Sequence, residues 1–222
     1  MFNTIFNNFI AEGLNYILTI SQSESILVSR LSNTIYNNLE SINKTIKNKK
    51  EHLTYYGSEI KYKYISTNTN ENAKADLVLY NSKNEILYVF EVKVRYTWNM
   101  IRWKRLNNDW ISNKEKYFIP DLKKLKEVPE NIKKYFILFL IHYNSQNVQE
   151  SINYGEDHNK NLQKYINLSD VVNDVENFVE KKFTIEEFSD YSIKLEKKFR
   201  LQLNSDQIEL PVELITFVFR IM

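Results

Sequence analysis

Apolar residues in the first part of the chain recur at helical intervals. They are spaced three or four positions apart through Phe2, Ile5 and Phe9 in the segment up to about residue 20, and more regularly from Leu27 to Ile46. This spacing places the second series on one face of a helix. Serines at positions 21–25 supply N-capping side chains, and Glu24 lies where a negative charge favours the helix dipole. The pattern predicts a short helix followed by a long one.

Strand-like patterns replace the helical spacing in the next part of the chain. Residues 59–66 alternate apolar with polar side chains and predict a strand with one solvated face. Two apolar runs, residues 74–81 and 86–96, flank a polar loop and predict a hairpin. Residues 121–128 predict a helix with its leucines inward. Residues 134–143 are the most continuous apolar run and predict a central strand covered on both faces.

The remaining segments are more polar. Residues 97–118 carry three tryptophans among basic side chains and predict a loop and part of a helix, while residues 144–161 predict a long loop. Residues 168–183 and 185–199 have a 3.6-residue period and predict two acidic amphipathic helices. The tail from Arg200 has room for one or two closing strands.

These elements together predict a mixed α/β (α+β) fold. We expect a central mixed four-stranded sheet flanked by helices, with extra C-terminal helices and strands. No repeat or domain boundary interrupts the chain. We therefore expect one domain over residues 1–222, with its core at about 24–143 and a C-terminal extension at about 165–222.

Composition excludes several classes of function. The 222 residues contain no cysteine and only three glycines, which excludes thiolate metal sites and glycine-rich nucleotide-binding loops. The longest apolar run, residues 135–141, is far short of the ~20 residues that a membrane helix needs. The start of the chain lacks the basic flank and cleavage site of a signal peptide. We expect a cytoplasmic protein that does not bind membranes.

The net charge of +2 is small but unevenly distributed. Residues 170–190 carry seven acids against two lysines, and residues 93–105 carry five bases and no acid. A basic segment of this kind favours a polyanionic partner. The side chains expected to contact phosphates or to stack on bases are Arg95, Arg102, Trp103, Lys104 and Arg105. A packed, partly exposed helix explains this segment equally well.

The hairpin places two acids and a lysine in otherwise apolar strands. If Asn81 pairs with Ile86 across a four-residue loop, the register of the hairpin is fixed. The same register places Asp76 directly opposite Glu91. Because side chains alternate between the faces of a strand, Lys93 lies on the face of Glu91. The sequence therefore predicts a cluster of three charged side chains on one face.

Such a cluster suits a metal ion. Two carboxylates that face each other across ~5 Å repel unless a cation neutralises them. Hard cations such as Mg²⁺ prefer oxygen ligands, so we expect Asp76, Glu91 and the Val92 carbonyl to bind Mg²⁺, with Mn²⁺ as a substitute. Metal and lysine together suit phosphodiester hydrolysis, with Lys93 orienting water or stabilising the developing charge. The simpler interpretation is a surface hairpin with a salt-bridged polar face.

The short pattern Glu-x-Lys is not specific by itself. It occurs four times, beginning at Glu59, Glu91, Glu180 and Glu196. The last two fall on predicted helices, and no aspartate precedes residue 76 to partner Glu59. Only Glu91 combines an apolar strand with an acid on the preceding strand.

Residues 24–143 resemble the PD-(D/E)xK phosphodiesterase superfamily, the restriction-endonuclease-like fold. That family has a helix, a three-strand meander, a helix and a fourth strand, with an acid in the second strand and Glu-x-Lys in the third. The resemblance implies that Asp76, Glu91 and Lys93 are the catalytic residues. It also implies that a first-helix glutamate completes the metal site, with Glu24 the candidate and Glu40 the reserve. The proline that names the motif is replaced by Ala75.

The resemblance implies a Mg²⁺-dependent nuclease, and we expect a DNA endonuclease of restriction or defence type. It leaves open the choice of DNA or RNA. By analogy with the family, the acidic C-terminal helices would serve a homodimer or another partner. One alternative is a non-catalytic nucleic-acid-binding or assembly module that keeps the nuclease fold. A second is a structural protein whose acidic helices bind a partner.

Overall fold

The computed structural model describes residues 1–9, 23–65, 73–97, 101–102, 105–106, 118–143, 168–186, 188–205 and 208–222. The helices are α1 (Phe2–Asn7), α2 (Ser23–Asn37), α3 (Leu39–Lys44), α4 (Ile119–Lys126) and α5 (Leu168–Lys181). The strands are β1 (Leu53–Lys61), β2 (Lys74–Asn81), β3 (Ile86–Tyr96), β4 (Ile101–Arg102), β5 (Arg105–Leu106), β6 (Lys133–Tyr143), β7 (Ile193–Ser205) and β8 (Ile208–Ile221). Short 3₁₀ turns lie at Lys49–Glu51, Tyr62–Tyr64 and Ser189–Tyr191, and a π-helical turn at Lys182–Glu186 follows α5.

One mixed sheet organises the part of the chain that the structure describes. Its six strands run in the order β1-β2-β3-β6-β8-β7. Neighbours are antiparallel except β3 and β6, which are parallel. The mixed α/β class is therefore confirmed, whereas the expected count of four strands is wrong. The two additional strands come from the C-terminal region, where β8 pairs directly with the central strand β6.

Helices cover the sheet on both faces, and aromatic rings mark the two layers. On one face Phe2 of α1 meets Phe90 and Tyr135. On the other face Phe118, just before α4, meets Phe136. Tyr135 and Phe136 are consecutive in β6 and so point to opposite faces. β6 is thus buried on both sides from Lys134 to His142, as its continuous apolar run predicted.

The hairpin has the predicted bounds but not the predicted turn. Leu77 pairs with Phe90 and Leu79 with Tyr88, which is the predicted register. A bulge near the turn then pairs Tyr80, not Asn81, with Ile86. The Asn81 side chain instead accepts hydrogen bonds from the backbone N–H groups of Lys83 and Glu85, which closes the loop locally.

Two predicted elements have different bounds. The strand expected at residues 59–66 is β1, which begins at Leu53 and ends at Lys61. Pairing with β2 explains this earlier start, since Tyr55 stacks on Tyr80 with ring centroids 4.6 Å apart. The long second helix is divided at Asn38 into α2 and α3, and both parts contribute buried residues from the predicted face.

The predicted helix at residues 185–199 is wrong, because residues 193–199 belong to the strand β7 and Ser189–Tyr191 form a 3₁₀ turn. Leu195 pairs with Phe219 and Lys197 with Val218, so Glu196 is a bulge residue. The bulge moves the apolar side chains from one face of the sheet to the other. Before it, Leu195 shares the face of Phe219. After it, Phe199 lies on the opposite face and packs on Phe6 of α1.

Residues 97–118 fall largely outside the described part of the chain. Residues 101–102 and 105–106 form the antiparallel pair β4 and β5, and the predicted helical part of this segment lies outside the described residues. The predicted loop at 144–161 lies outside the described residues. None of the described helices is long and apolar enough to cross a membrane.

Phe183 should be a major contributor to stability. Its ring is fully buried among Phe118, Phe136, Phe188 and Phe219, with centroids 4.5 to 5.8 Å away. We expect Phe183→Ala to lower the free energy of unfolding by about 3–5 kcal/mol, because it leaves a cavity. Urea denaturation followed by circular dichroism measures this.

The matched control is Tyr64→Ala, since Tyr64 is 70% exposed. It should cost less than about 0.5 kcal/mol. Equal losses in the two variants would contradict the described core.

Candidate functional site

The predicted site lies on one face of β2 and β3, where α2 and α4 approach the sheet. Four acids and two lysines meet there. The six residues are Glu24 of α2, Asp76 of β2, Glu91 and Lys93 of β3, and Asp121 and Lys124 of α4. The structure therefore brings together the acids and the lysine that the sequence singled out, and adds two residues from α4.

Glu91 is the most buried member of the group, with its side chain 1% exposed. Its Oε1 accepts a hydrogen bond from the Tyr62 hydroxyl at 2.7 Å. Its Oε2 lies 2.8 Å from Lys124 Nζ. Burial raises the pKa of Glu91 well above its ordinary value, and the neighbouring Asp76 and Asp121 raise it further. Glu91 is thus a carboxylate that needs a cation to remain ionised.

Asp76 faces the same space from β2. Its Oδ2 accepts a hydrogen bond from the backbone N–H of Val92 at 2.7 Å, which fixes the side chain against β3. Burial raises the pKa of Asp76 to about 6, although the Val92 hydrogen bond acts in the opposite direction. Asp76 also lines a cavity of about 300 Å³ that extends along α2 past Glu24.

Lys93 connects two helices to the sheet. Its Nζ lies 3.0 Å from Asp121 Oδ2 and 3.4 Å from Glu24 Oε1. Burial lowers the pKa of Lys93, but the attraction of Asp121 and Glu24 outweighs it, so the net pKa is raised and the ammonium stays charged. The Lys93 side chain is 18% exposed, so part of it remains accessible from outside.

Asp121 and Lys124 were not singled out from the sequence. They stand three positions apart on α4 and form an ion pair at 2.8 Å. The segment was interpreted only through its buried leucines, Leu122 and Leu125. A usable signal was present, because Asp121 and Lys124 adjoin those leucines on the helix surface and so face the sheet. Tyr62 was also missed, since a hydroxyl contact gives no pattern in sequence.

The second-choice glutamate does not reach this site. Glu40 is exposed on α3 and pairs with Lys44 at 2.8 Å. Glu24 is in contact with the site through Lys93, and its side chain is 42% exposed. Of the two glutamates that were considered, only Glu24 is therefore placed to contribute.

The predicted nucleic-acid contacts are described only in part. The Arg95 guanidinium lies 5.5 Å over the Phe118 ring, and its Nη1 donates to the Val94 carbonyl. Arg102 and Arg105 are cross-strand partners in β4 and β5. Trp103 and Lys104 lie outside the described residues. The Arg95 guanidinium therefore packs against the core.

The donor chemistry of the site fits a hard divalent cation. Four carboxylates and two ammonium groups leave a formal charge of −2 when all six are ionised. Oxygen donors of this kind are the ligands that Mg²⁺ prefers. Within the described part of the chain, however, no three acidic or histidine side chains are already grouped as a metal cage. Glu91 and Asp121 are already paired with Lys124 and Lys93, so a cation that binds these carboxylates would compete with an ammonium group.

Comparisons with protein-family models, with curated proteins and with solved structures found no match. The resemblance to the PD-(D/E)xK superfamily therefore remains a prediction from the sequence.

Cation binding at this site should weaken as the pH falls through 6. Protons compete with a metal ion for carboxylates, and the pKa of Asp76 is raised to about 6. We expect the affinity for Mg²⁺ to be about tenfold lower at pH 5 than at pH 8. Isothermal titration calorimetry at the two pH values measures this.

The same raised pKa has a consequence for stability without metal. A carboxylate whose folded pKa exceeds its unfolded value destabilises the fold as the pH rises through that interval. Mg²⁺ should therefore raise the unfolding temperature more at pH 8 than at pH 5. In Asp76→Asn both differences should shrink, and an unchanged pH dependence in that variant would assign the effect to other groups.

Proposed function

We propose that this protein is a Mg²⁺-dependent nuclease that hydrolyses phosphodiester bonds in nucleic acid. The observation that carries the proposal is the position of Glu91, a carboxylate buried beside Asp76 and Asp121 and paired with Lys124, while Lys93 pairs with the neighbouring Asp121. Such a group is expensive to bury. Neither a plain core nor a solvated hairpin explains it, whereas a cation site does.

The order of elements supports the same class of protein. After α2 and α3, the strands β1, β2 and β3 form an antiparallel meander, followed by α4 and by β6, which is parallel to β3. This is the order that the resemblance to the PD-(D/E)xK superfamily implies. The proposed restriction-endonuclease-like core thus covers residues 24–143, with β7 and β8 as additions to its sheet. Fold analogy is a weaker support than the site itself.

The residues can be given roles from their contacts. Bound Mg²⁺ would supply Lewis acidity and a water of lowered pKa. Asp76, Glu91 and the Val92 carbonyl would hold it, with Glu24 at the cavity edge. Lys93 keeps its positive charge and is partly accessible, so its ammonium can donate to a phosphate oxygen or orient a water. Tyr62 fixes the Glu91 carboxylate through its hydroxyl.

The finer proposal is a DNA endonuclease of restriction or defence type in the cytoplasm, with Mn²⁺ as a substitute metal. Its proposed contacts to DNA are Arg102, Trp103, Lys104 and Arg105, since Arg95 packs on the Phe118 ring. A homodimer through the acidic helix α5 is also proposed. Some acids of α5 form ion pairs within the chain, since Glu176 lies 3.0 Å from Lys198 and 3.3 Å from Arg200. The dimer contact would therefore use exposed acids such as Asp174.

Glu91→Gln and Lys93→Ala should each reduce Mg²⁺-dependent cleavage by about 100- to 1000-fold, because the first removes a charged ligand of the metal and the second removes a positive charge that stabilises the reacting phosphate. Cleavage is measured on plasmid, linear duplex, single-stranded DNA and RNA, with Mg²⁺ and with chelator. Circular dichroism and thermal unfolding verify that each variant is folded.

The control is Glu196→Gln. Glu196 begins another Glu-x-Lys, and the structure places it in a strand, although we had expected a helix. It is exposed on β7, at the far edge of the sheet, so its cleavage rate should equal that of the wild type. Undiminished cleavage by both Glu91→Gln and Lys93→Ala would overturn the site assignment. Salt-dependent nucleic-acid binding without any cleavage would instead favour the non-catalytic module.

A further inference from the structure

Three oxygen atoms converge on the ammonium group of Lys124. Its Nζ lies 2.8 Å from Glu91 Oε2, 2.8 Å from Asp121 Oδ1 and 3.3 Å from the backbone carbonyl oxygen of Lys74. The oxygens come from β3, α4 and β2 in turn. Two carboxylates and a carbonyl are a donor set that Mg²⁺ accepts.

We propose that Mg²⁺ binds at the position of Lys124 Nζ, between Glu91 and Asp121, and displaces Lys124 when it does so. The inference rests on the proposed metal-dependent function. It adds Asp121 and the Lys74 carbonyl to the ligands expected from the sequence. In the metal-free protein the Lys124 ammonium occupies the metal position and neutralises these carboxylates.

The size of the site agrees with this exchange. Oxygen ligands lie 2.0–2.1 Å from Mg²⁺ and 2.8–3.3 Å from Lys124 Nζ. The two carboxylate oxygens therefore need to move inward by about 0.7–0.8 Å, a shift within the reach of side-chain torsions, and the Lys74 carbonyl oxygen by about 1.2–1.3 Å. All three belong to regular secondary structure, so the contraction requires no refolding of a loop.

The charges of the site also favour replacement of the Lys124 ammonium group by Mg²⁺. A dication in place of one ammonium group raises the total charge of the six-residue site from −2 toward neutrality. Lys93 keeps its contact with Asp121 Oδ2 and need not move. The Lys124 side chain is 19% exposed and has a flexible four-carbon stem, so its ammonium can turn toward solvent or toward a bound phosphate.

If Lys124 and Mg²⁺ compete for one position, removing the lysine should strengthen Mg²⁺ binding. Removing the lysine charge in Lys124→Met should make Mg²⁺ bind about tenfold more tightly, and should lower the unfolding temperature of the metal-free protein. Asp121→Asn should bind Mg²⁺ about tenfold more weakly. Lys123→Met is the matched control, because Lys123 is exposed on the same helix, and its affinity should equal that of the wild type. Titration calorimetry with MgCl₂ measures all four proteins.

Acetylation of the wild-type protein tests the same exchange if Lys124→Met fails to fold. Mg²⁺ should increase the rate at which acetic anhydride modifies Lys124 several-fold, since it frees Nζ from two ion pairs, and should leave Lys123 unchanged. Mass spectrometry of the peptides gives both rates. Equal or weaker Mg²⁺ binding by folded Lys124→Met, or a Lys124 rate that Mg²⁺ leaves unchanged, would overturn the inference.

The results separate this inference from the proposed function. If Asp121→Asn binds Mg²⁺ like the wild type while Glu91→Gln does not, the metal lies on the Asp76 side and only the present inference fails. If the variants behave as expected but no nucleic acid is cut, the metal exchange stands and the nuclease proposal fails.

Discussion

The burial of one carboxylate, Glu91, is the constraint on which the rest of the site depends. An ionised group in the interior is tolerated only when its lone pairs are satisfied and a cation is near. Here a hydroxyl from the turn after β1 and an ammonium from α4 meet those needs. Elements far apart in sequence must therefore dock correctly for Glu91 to stay ionised once it is buried.

The site and the core are also linked through α4. The helix turns its leucines toward the apolar layer beside Phe118 and its Asp121 and Lys124 toward the acids of the sheet. Repacking of that layer would shift both charged groups together. Because α4 is fixed by its buried leucines, Lys93 and Lys124 are held within 3.0 Å of carboxylates and do not turn toward solvent.

Elements that follow from a continuous run of neighbouring residues could be predicted from the sequence, whereas contacts between distant residues could not. The bounds of the hairpin and the central strand follow from continuous apolar runs, and both were predicted. Strand β7 was not, because the bulge at Glu196 changes which face the apolar residues occupy and leaves a spacing that also fits a helix. The two site residues of α4 escaped for another reason. Their position beside Leu122 and Leu125 indicates that they face the sheet, but their partners on β3 lie more than twenty-five positions away in sequence, so the spacing does not identify the charges that they meet.

The position of β8 has a consequence for synthesis of the chain. β6 leaves the ribosome well before β8, its neighbour in the sheet, and β7 is made between them. During that interval one edge of the most apolar strand lacks its partner, and exposed apolar edges invite pairing with other chains. The six-stranded sheet can therefore be completed only after β7 and β8 have been synthesised. The order in which the strands are made therefore leaves β6 open to mispairing until β8 is complete.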